Sequence, residues 1–295
     1  MVRGSGRESG LPQQSTGKAA IWMAGWLLNT LALTIAGREL GHDIPVFVIM
    51  ILRSLIAMAI LTPIVLYEGD LSQRFGNLGL NIIRNIIHYG AQYAWFTALL
   101  LIPLAQVVSI EFTMPIWGAL IAAMFLGEKL TPIRLAAIAF GFLGILMIVK
   151  PGTSLIDEGH AVALLAAIGF AISIALTKVI TRKDTALTVI FLMFAIQTVI
   201  GAVPAWLTWK WPEPHNWVWV AVVGLAGTFS HYCLSKAISL ADMTIVTPMD
   251  FLRVPLTVLA GYWLYHEGFD LYSIIGALLI LGANTLNLFK AKQPL

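Results

Sequence analysis

Five ionisable side chains interrupt the long apolar runs of this sequence, at Arg53, Arg84, Glu111, Asp250 and Arg253. Near the middle of a bilayer each costs about 2.5 to 3.5 kcal/mol on insertion scales, or on the order of 12 to 17 kcal/mol together if unpaired and additive. We therefore expect them to face one another or water. Three cations against two anions leave one positive charge, which suits a bound molecule with a carboxylate or a phosphate. If Arg84 instead reaches the headgroups, this excess disappears.

Glu111 lies midway along its apolar run, four residues before Pro115. The proline ring frees a backbone carbonyl and permits a bend in a helix. A carboxylate buried there can exchange a proton near neutral pH when its access changes from one membrane face to the other. We therefore take Glu111 and Asp250 as candidate proton-coupling residues. The alternative is a static ion pair of Glu111 with Arg53 or Arg84.

A polar stripe follows the third apolar run. Its members recur at spacings of three and four residues, which places them on one face of a helix, and we expect them to line a cavity. They are Asn81, Arg84, Asn85, His88, Gln92 and Trp95. Two shorter polar sets belong to the eighth and ninth runs: Thr228, His231 and Ser235 in one, and Thr247, Asp250 and Arg253 in the other.

Several of these side chains also fit simpler roles. His88 and His231 equally suit hydrogen-bonded packing positions, and Asp250 and Arg253 can neutralise each other. Aromatic rings near the same positions could stack on a planar molecule. The candidate cavity-lining set, which includes no metal ligands, is Arg53, Arg84, His88, Tyr89, Gln92, Tyr93, Trp95, Glu111, Trp117, His231, Tyr232, Asp250 and Arg253.

The composition determines which elements must position these residues. Of the 295 residues 59% are hydrophobic and only 11% are charged, where a soluble domain has about 25% charged residues. Ten apolar runs, each about the length of a membrane-spanning helix, fill almost the whole chain. They lack the alternation of barrel strands, so the sequence predicts an all-α membrane protein. The runs cover 19–37, 44–67, 80–101, 103–126, 131–149, 160–179, 187–209, 216–238, 240–265 and 271–289.

The charged residues outside these runs predict the orientation. With the N-terminus inside, twelve Lys and Arg residues fall on the cytoplasmic side and three on the other, which places both termini in the cytoplasm. The net charge of +3 is scattered and gives no support for nucleic-acid binding. A single cysteine, Cys233, offers neither a disulfide nor a Cys-based metal site.

The two halves of the chain resemble each other. At an offset of 139 residues Glu111 matches Asp250 and Glu128 matches Glu267, and at an offset of 144 Arg38 matches Arg182. Each half then contains five spans, and an odd number of spans inverts the second copy. Inverted repeats are a recurring transporter architecture, because two such halves can rock about a site at the bilayer midplane.

The segment from Pro103 to Gly152 resembles the EamA-type repeat of the drug/metabolite transporter superfamily. It carries Pro115, the pair Gly127-Glu128, Thr131 and a glycine-rich helix after them. The second copy keeps Glu267 but has His266 in place of Gly127 and Pro255 one residue out of register. The stretch with Arg53 and Arg84 is similar to bacterial members that carry amino acids, S-adenosylmethionine or riboflavin.

Residues 1–17 are rich in Gly, Ser, Gln and charge and lack apolar periodicity, so we expect a disordered cytoplasmic tail there. The resemblance implies ten helices in the inner membrane, as two inverted five-helix repeats at 18–150 and 151–290, with a cytoplasmic tail at 291–295. It implies a secondary transporter of a small polar or amphipathic metabolite that works by alternating access, with lipid as its surroundings and no cofactor. Export is the first expectation, and import of an amino-acid-like compound or of a cofactor such as S-adenosylmethionine or riboflavin is the second. A homodimer is left open.

Other classes of membrane protein have less support. The sequence has no His-Glu-x-x-His motif for a zinc protease and no Asp-rich cluster for magnesium diphosphate chemistry. Ser230 and His231 are adjacent, which points them about 100° apart on a helix. We therefore expect no enzyme. A channel or a receptor would be distinguished by passive conductance or by the absence of saturable flux.

Overall fold

The computed structural model describes residues 16–67, 77–126, 131–149, 158–241, 243–268 and 270–290, and within them it contains helices and no strands. The described helices are α1 (Thr16–Asp43), α2 (Val46–Tyr67), α3 (Leu78–Leu101), α4 (Leu104–Glu111), α5 (Met114–Leu126), α6 (Pro132–Val149), α7 (Glu158–Ile180), α8 (Ala186–Leu207), α9 (Asn216–Leu240), α10 (Met243–Asp250), α11 (Arg253–Tyr265) and α12 (Leu271–Lys290). The all-α membrane fold is therefore confirmed.

These helices make ten spans, because two of the spans are broken. In the part of the chain that the structure describes, six segments are long and apolar enough to cross a membrane: α1, α2, α7, α9, most of α8 and the segment Leu104–Ile121 across the first break. Helix α1 extends to Asp43, six residues beyond the predicted run, so Arg38 lies in a helix and not in a loop. Most of the predicted N-terminal tail, the whole C-terminal tail and Glu128 lie outside the described residues.

Both breaks follow from proline positions. Pro115 cannot donate to the carbonyl of Glu111, and the chain forms tighter bonds instead, such as Thr113 N–H to the carbonyl of Ile110 at 2.9 Å. The second break, between α10 and α11, precedes Pro255 in the same way. The carbonyl of Phe112, freed at the first break, accepts a hydrogen bond of 2.6 Å from Asn284 Nδ2. A buried polar backbone group is thereby satisfied.

The two halves pack mainly against each other. Helix α1 of the first half packs on α9 of the second, and its counterpart α7 packs on α3. Helix α2 packs on α8 and α9, and α3 packs on α8. The last helices of the two halves, α6 and α12, pack on each other. Exchanging the halves reproduces the same pairings. The internal contacts therefore have the pseudo-twofold symmetry that the repeat predicts.

The α6–α12 crossing depends on two glycines. A Cβ on Gly144 would lie 2.6 Å from the carbonyl oxygen of Gly276, and a Cβ on Gly276 would lie 2.6 Å from that of Gly144. Small residues of this kind let two helix backbones approach closely.

Candidate functional site

An ionic network joins the two helix breaks. Arg253 is the first residue of α11. Its Nε and Nη2 donate to the carboxylate of Asp250, the last residue of α10, at 2.8 and 3.2 Å. Its Nη1 donates to Oε1 of Glu111, the last residue of α4, at 2.9 Å. Trp95 Nε1 donates to Oε2 of Glu111 at 2.9 Å, and Trp26 Nε1 donates to Oδ1 of Asp250 at 2.5 Å. Five helices are thus tied together at one point.

All four carboxylate oxygens of this network accept from groups that can only donate. Arginine and the indole N–H of tryptophan have no lone pair to receive a carboxyl proton. Every oxygen of Glu111 and Asp250 is therefore already occupied by a donor in this arrangement. The partner of Glu111 is Arg253, so the expected pairing of Glu111 with Arg53 or Arg84 is wrong. In the fold, Glu111 and Asp250 share one arginine, Arg253. The sequence spacing had indicated only Asp250 as a partner of Arg253.

Arg84 lies inside the bundle. Only 7% of its surface is exposed. Its Nε donates to Thr177 Oγ1 of α7 at 3.1 Å, and its Nη1 donates to Asn85 Oδ1 at 2.9 Å. Neutral partners thus fix the direction of this guanidinium without cancelling its charge.

Arg53 is more isolated. Only 3% of its surface is exposed, and within the described residues its guanidinium makes no hydrogen bond or ion pair. The guanidinium lies 5.3 Å from the centre of the Phe194 ring on α8. It also passes so close to α9 that a Cβ on Gly227 would lie 2.6 Å from its Nε. Gly227 therefore leaves the space that the arginine occupies.

The two arginines, His88 and His231 form a group that we call the arginine chamber. We include in it two buried amides, Gln92, one helical turn beyond His88 on α3, and Gln197, one turn before the Gly201 of α8 that faces Tyr89. His88 and His231 lie within electrostatic range of each other and of both arginines. His88 Nδ1 makes a 3.1 Å hydrogen bond with Ser173 Oγ. The chamber lies between α2 and α3 of the first half and α7, α8 and α9 of the second.

Buried polar atoms without partners concentrate around this chamber. Within the described residues they include Arg53 Nε, His88 Nε2, Gln92 Oε1 and Gln197 Nε2, together with the hydroxyl of Tyr89, which lies against α8 at Gly201. An unpaired buried polar group costs about 1 to 3 kcal/mol. The concentration of these atoms makes the chamber the candidate site for a polar molecule.

The predicted aromatic residues do not form one cluster. Tyr89 is buried beside the chamber, whereas Tyr93 is 37% exposed and stacks on Phe47 with ring centres 4.4 Å apart. Trp95 donates its indole N–H to Glu111. Trp117 donates to Thr113 Oγ1 at 3.0 Å, and Tyr232 is 48% exposed beside Trp22. Only Tyr89 therefore lies where it could contact a molecule in the chamber.

Sequence reasoning missed the contributions of α7 and α8. Ser173, Thr177 and Gln197 contact or face the chamber, yet none was in the candidate set. Gln197 had a usable signal, because it is the single amide in the otherwise apolar helix α8. Trp26 of the ionic network was also missed, since tryptophans are common throughout this sequence.

A second ion pair, between Arg38 and Glu267, lies just beyond the end of α11, and we call it the end latch. Helix α11 ends at Tyr265, and His266 adopts a left-handed conformation with φ of 54°. Glu267 then accepts from Arg38 and from the backbone N–H of Leu104, the first residue of α4. The latch joins α1, α4 and the end of α11.

A cleft of about 620 Å³ lies apart from the chamber, between α4, α11 and α12. Its walls are mainly apolar, and exposed leucines such as Leu252, Leu259 and Leu278 line it. It offers little to a polar molecule, so we assign the candidate site to the arginine chamber. In the described part of the chain no three His, Cys, Asp or Glu side chains are grouped to hold a metal ion.

A bundle of apolar helices in two halves with pseudo-twofold contacts is that of a multi-pass membrane protein. The profile of the EamA-like transporter family matches residues 18–150 and 158–289, and the chain belongs to this family. The resemblance noted in the sequence is thereby confirmed.

Individual relatives have named substrates. The chain is 29% identical over 256 residues to a riboflavin transporter of Brucella anthropi, covering 84% of this chain and 89% of the relative. It is 24% identical over 275 residues to an S-adenosylmethionine uptake transporter of Rickettsia felis, covering 92% and 94%. It is 26% identical over 251 residues to a pseudopaline exporter of Pseudomonas aeruginosa, covering 83% and 87%. A crystal structure with 19% identity shares the fold, with a TM-score of 0.65 over 94% of this chain and 99% of the other.

Proposed function

We propose that this protein is a secondary active transporter that carries a small polar metabolite through the arginine chamber by alternating access. The set of partnerless polar atoms at the interface of the two halves is the observation that carries this proposal. Two halves that meet at a binding site can rock about it and open it to each side in turn.

The proposed direction is uptake into the cytoplasm across the inner membrane, with both termini cytoplasmic. The names of the relatives support uptake more than the export expected from the sequence, because S-adenosylmethionine uptake transporters match the chain over 92% of its length. The pseudopaline exporter keeps export as the alternative.

The experiment compares uptake and efflux of a metabolite panel in a strain that lacks the protein and in the same strain complemented with it. Faster uptake of a panel member in the complemented strain supports the proposal, and faster efflux reverses its direction. Proteoliposomes with the purified protein then test saturable counterflow. A passive conductance without saturation would indicate a channel and contradict the proposal.

Proton coupling through Glu111 or Asp250 belongs to the same proposal. Glu111 is fully paired in this arrangement, so binding a proton requires that Arg253 or Trp95 move away. Such a movement would separate the helix breaks and could open the chamber. Counterflow with and without a pH gradient tests this step. Equal responses of Glu111→Gln and the wild type would remove Glu111 from the coupling mechanism.

A further inference from the structure

We infer that the molecule carried in the arginine chamber is an organic anion, with a carboxylate or a phosphate, that also bears a neutral N–H or O–H donor. This inference rests on the proposed function. It begins from the way the fold divides the intramembrane charges, which the sequence showed only as a total.

The charges separate into two groups of opposite sign. Arg253 is shared by Glu111 and Asp250, so the ionic network carries one net negative charge. Arg53 and Arg84 are left with no carboxylate in the described residues around them. Asp184, just beyond α7, accepts a hydrogen bond of 3.0 Å from Asn81 Nδ2, and Arg84 donates hydrogen bonds to Thr177 and Asn85. The chamber therefore carries two positive charges.

Two buried guanidinium groups without a counter-charge require an anion. Arginine stays protonated in proteins, so the chamber cannot become neutral by releasing a proton. Guanidinium groups bind carboxylates and phosphates through short, charge-assisted hydrogen bonds. The hydrogen bonds of Arg84 to Thr177 and Asn85 hold its planar group in place, which favours binding of a rigid planar or tetrahedral anion.

The unpaired polar atoms of the chamber indicate which other groups the bound molecule carries. Arg53 Nε and Gln197 Nε2 can only donate, whereas Gln92 Oε1 can only accept. The unpaired acceptor fits an N–H or O–H on the bound molecule. An ammonium group would be repelled by both arginines, so the donor is neutral, as in a hydroxyl, an amide or an imide. A hydroxy acid or a phosphate ester with hydroxyls fits these demands, whereas a simple cation does not.

The test measures binding to the wild-type protein in phosphatidylcholine nanodiscs, which exclude anionic lipid headgroups as a competing source of the anion. The probes are inorganic phosphate, lactate, its uncharged analogue lactamide, and choline, and the readout is the shift of thermal unfolding with probe concentration. We expect phosphate or lactate to stabilise the protein, and the stronger of the two identifies the anionic group. Equal effects of lactate and lactamide, or stabilisation by choline, would overturn the inference.

Variants then assign the effect to the chamber. Arg53→Gln should weaken anion binding roughly tenfold to a hundredfold, as expected for loss of a hydrogen-bonded charge. Gly227→Ala keeps the charge but displaces Arg53, and should weaken binding less. Arg182→Gln, an exposed arginine beyond α7, is the matched control and should bind as the wild type does. Unchanged anion binding in Arg53→Gln would contradict the inference.

The two proposals can fail separately. Saturable transport of neutral or cationic solutes, with no effect of anions, would leave the transporter assignment intact and overturn the anion. Anion binding without transport of any solute would support the anion and overturn the transporter assignment.

Discussion

Arg53 and Arg253 are buried to nearly the same degree, at 3% and 8% exposure, yet we expect opposite effects on stability when each is replaced by methionine. Arg253→Met removes the shared partner of Glu111 and Asp250 and leaves two buried carboxylates facing each other. Breaking a buried ion pair by removing one partner costs about 3 to 5 kcal/mol. Arg53→Met removes a cation that has no counter-charge in the described structure.

The magnitude for Arg53 follows from its lack of partners. A charged side chain near mid-bilayer costs about 2.5 to 3.5 kcal/mol on insertion scales, and methionine does not carry this cost. The loss of its contact with the Phe194 ring opposes this gain by about 0.5 to 2 kcal/mol. We therefore expect Arg53→Met to be neutral or more stable than the wild type by up to about 3 kcal/mol.

The assay is reversible unfolding in mixed detergent micelles, followed by tryptophan fluorescence, in the absence of added anions. The triple variant Arg253→Met, Glu111→Gln, Asp250→Asn is the control, because it removes all three charges and should recover much of the loss. A large destabilisation by Arg53→Met would show that this arginine has a partner and refute the reasoning. So would a wild-type stability of Arg253→Met.

Two further predictions concern packing and the end latch. Gly144→Ala should destabilise the protein by about 1 to 3 kcal/mol, because the added Cβ meets the Gly276 backbone. Gly282→Ala, at a position that faces open space, is the control and should have little effect. The same unfolding assay measures both variants, and equal effects would contradict the close crossing. Glu267→Gln should weaken the latch, because the charged acceptor of the Leu104 N–H and the ion pair with Arg38 are lost. Hydrogen exchange at the start of α4 should then become about tenfold faster or more. Unchanged exchange would mean that the latch does not hold α4.

The sequence predicted what depends on local spacing. The polar stripe of α3 was visible because its residues recur at helical intervals, and the structure buries Asn81, Arg84 and Gln92 as that pattern required. The position of Pro115 likewise indicated the bend that the structure shows next to Glu111. Periodicity and proline chemistry act within one helix, so no knowledge of the partner helix was needed.

What the sequence did not reveal depends on how helices from different halves are rotated against one another. Glu111 had three arginines as possible partners, and only the packing of α4 against α11 selects Arg253. The isolation of Arg53 was hidden for the same reason, since it results from the apolar and glycine surfaces of α8 and α9. A total of charges gives one positive excess, but their distribution into separate groups is a tertiary property.

The exchange of contacts between the halves has a consequence for biosynthesis. Arg53 enters the membrane with α2, but Gly227, which makes room for it, follows 174 residues later in the chain. At about 5 to 20 residues per second, the ribosome needs roughly 9 to 35 s to supply that neighbour. During this interval the nascent helix must shelter its guanidinium at the insertion machinery or the lipid surface, so completion of the bundle depends on the last helices to emerge.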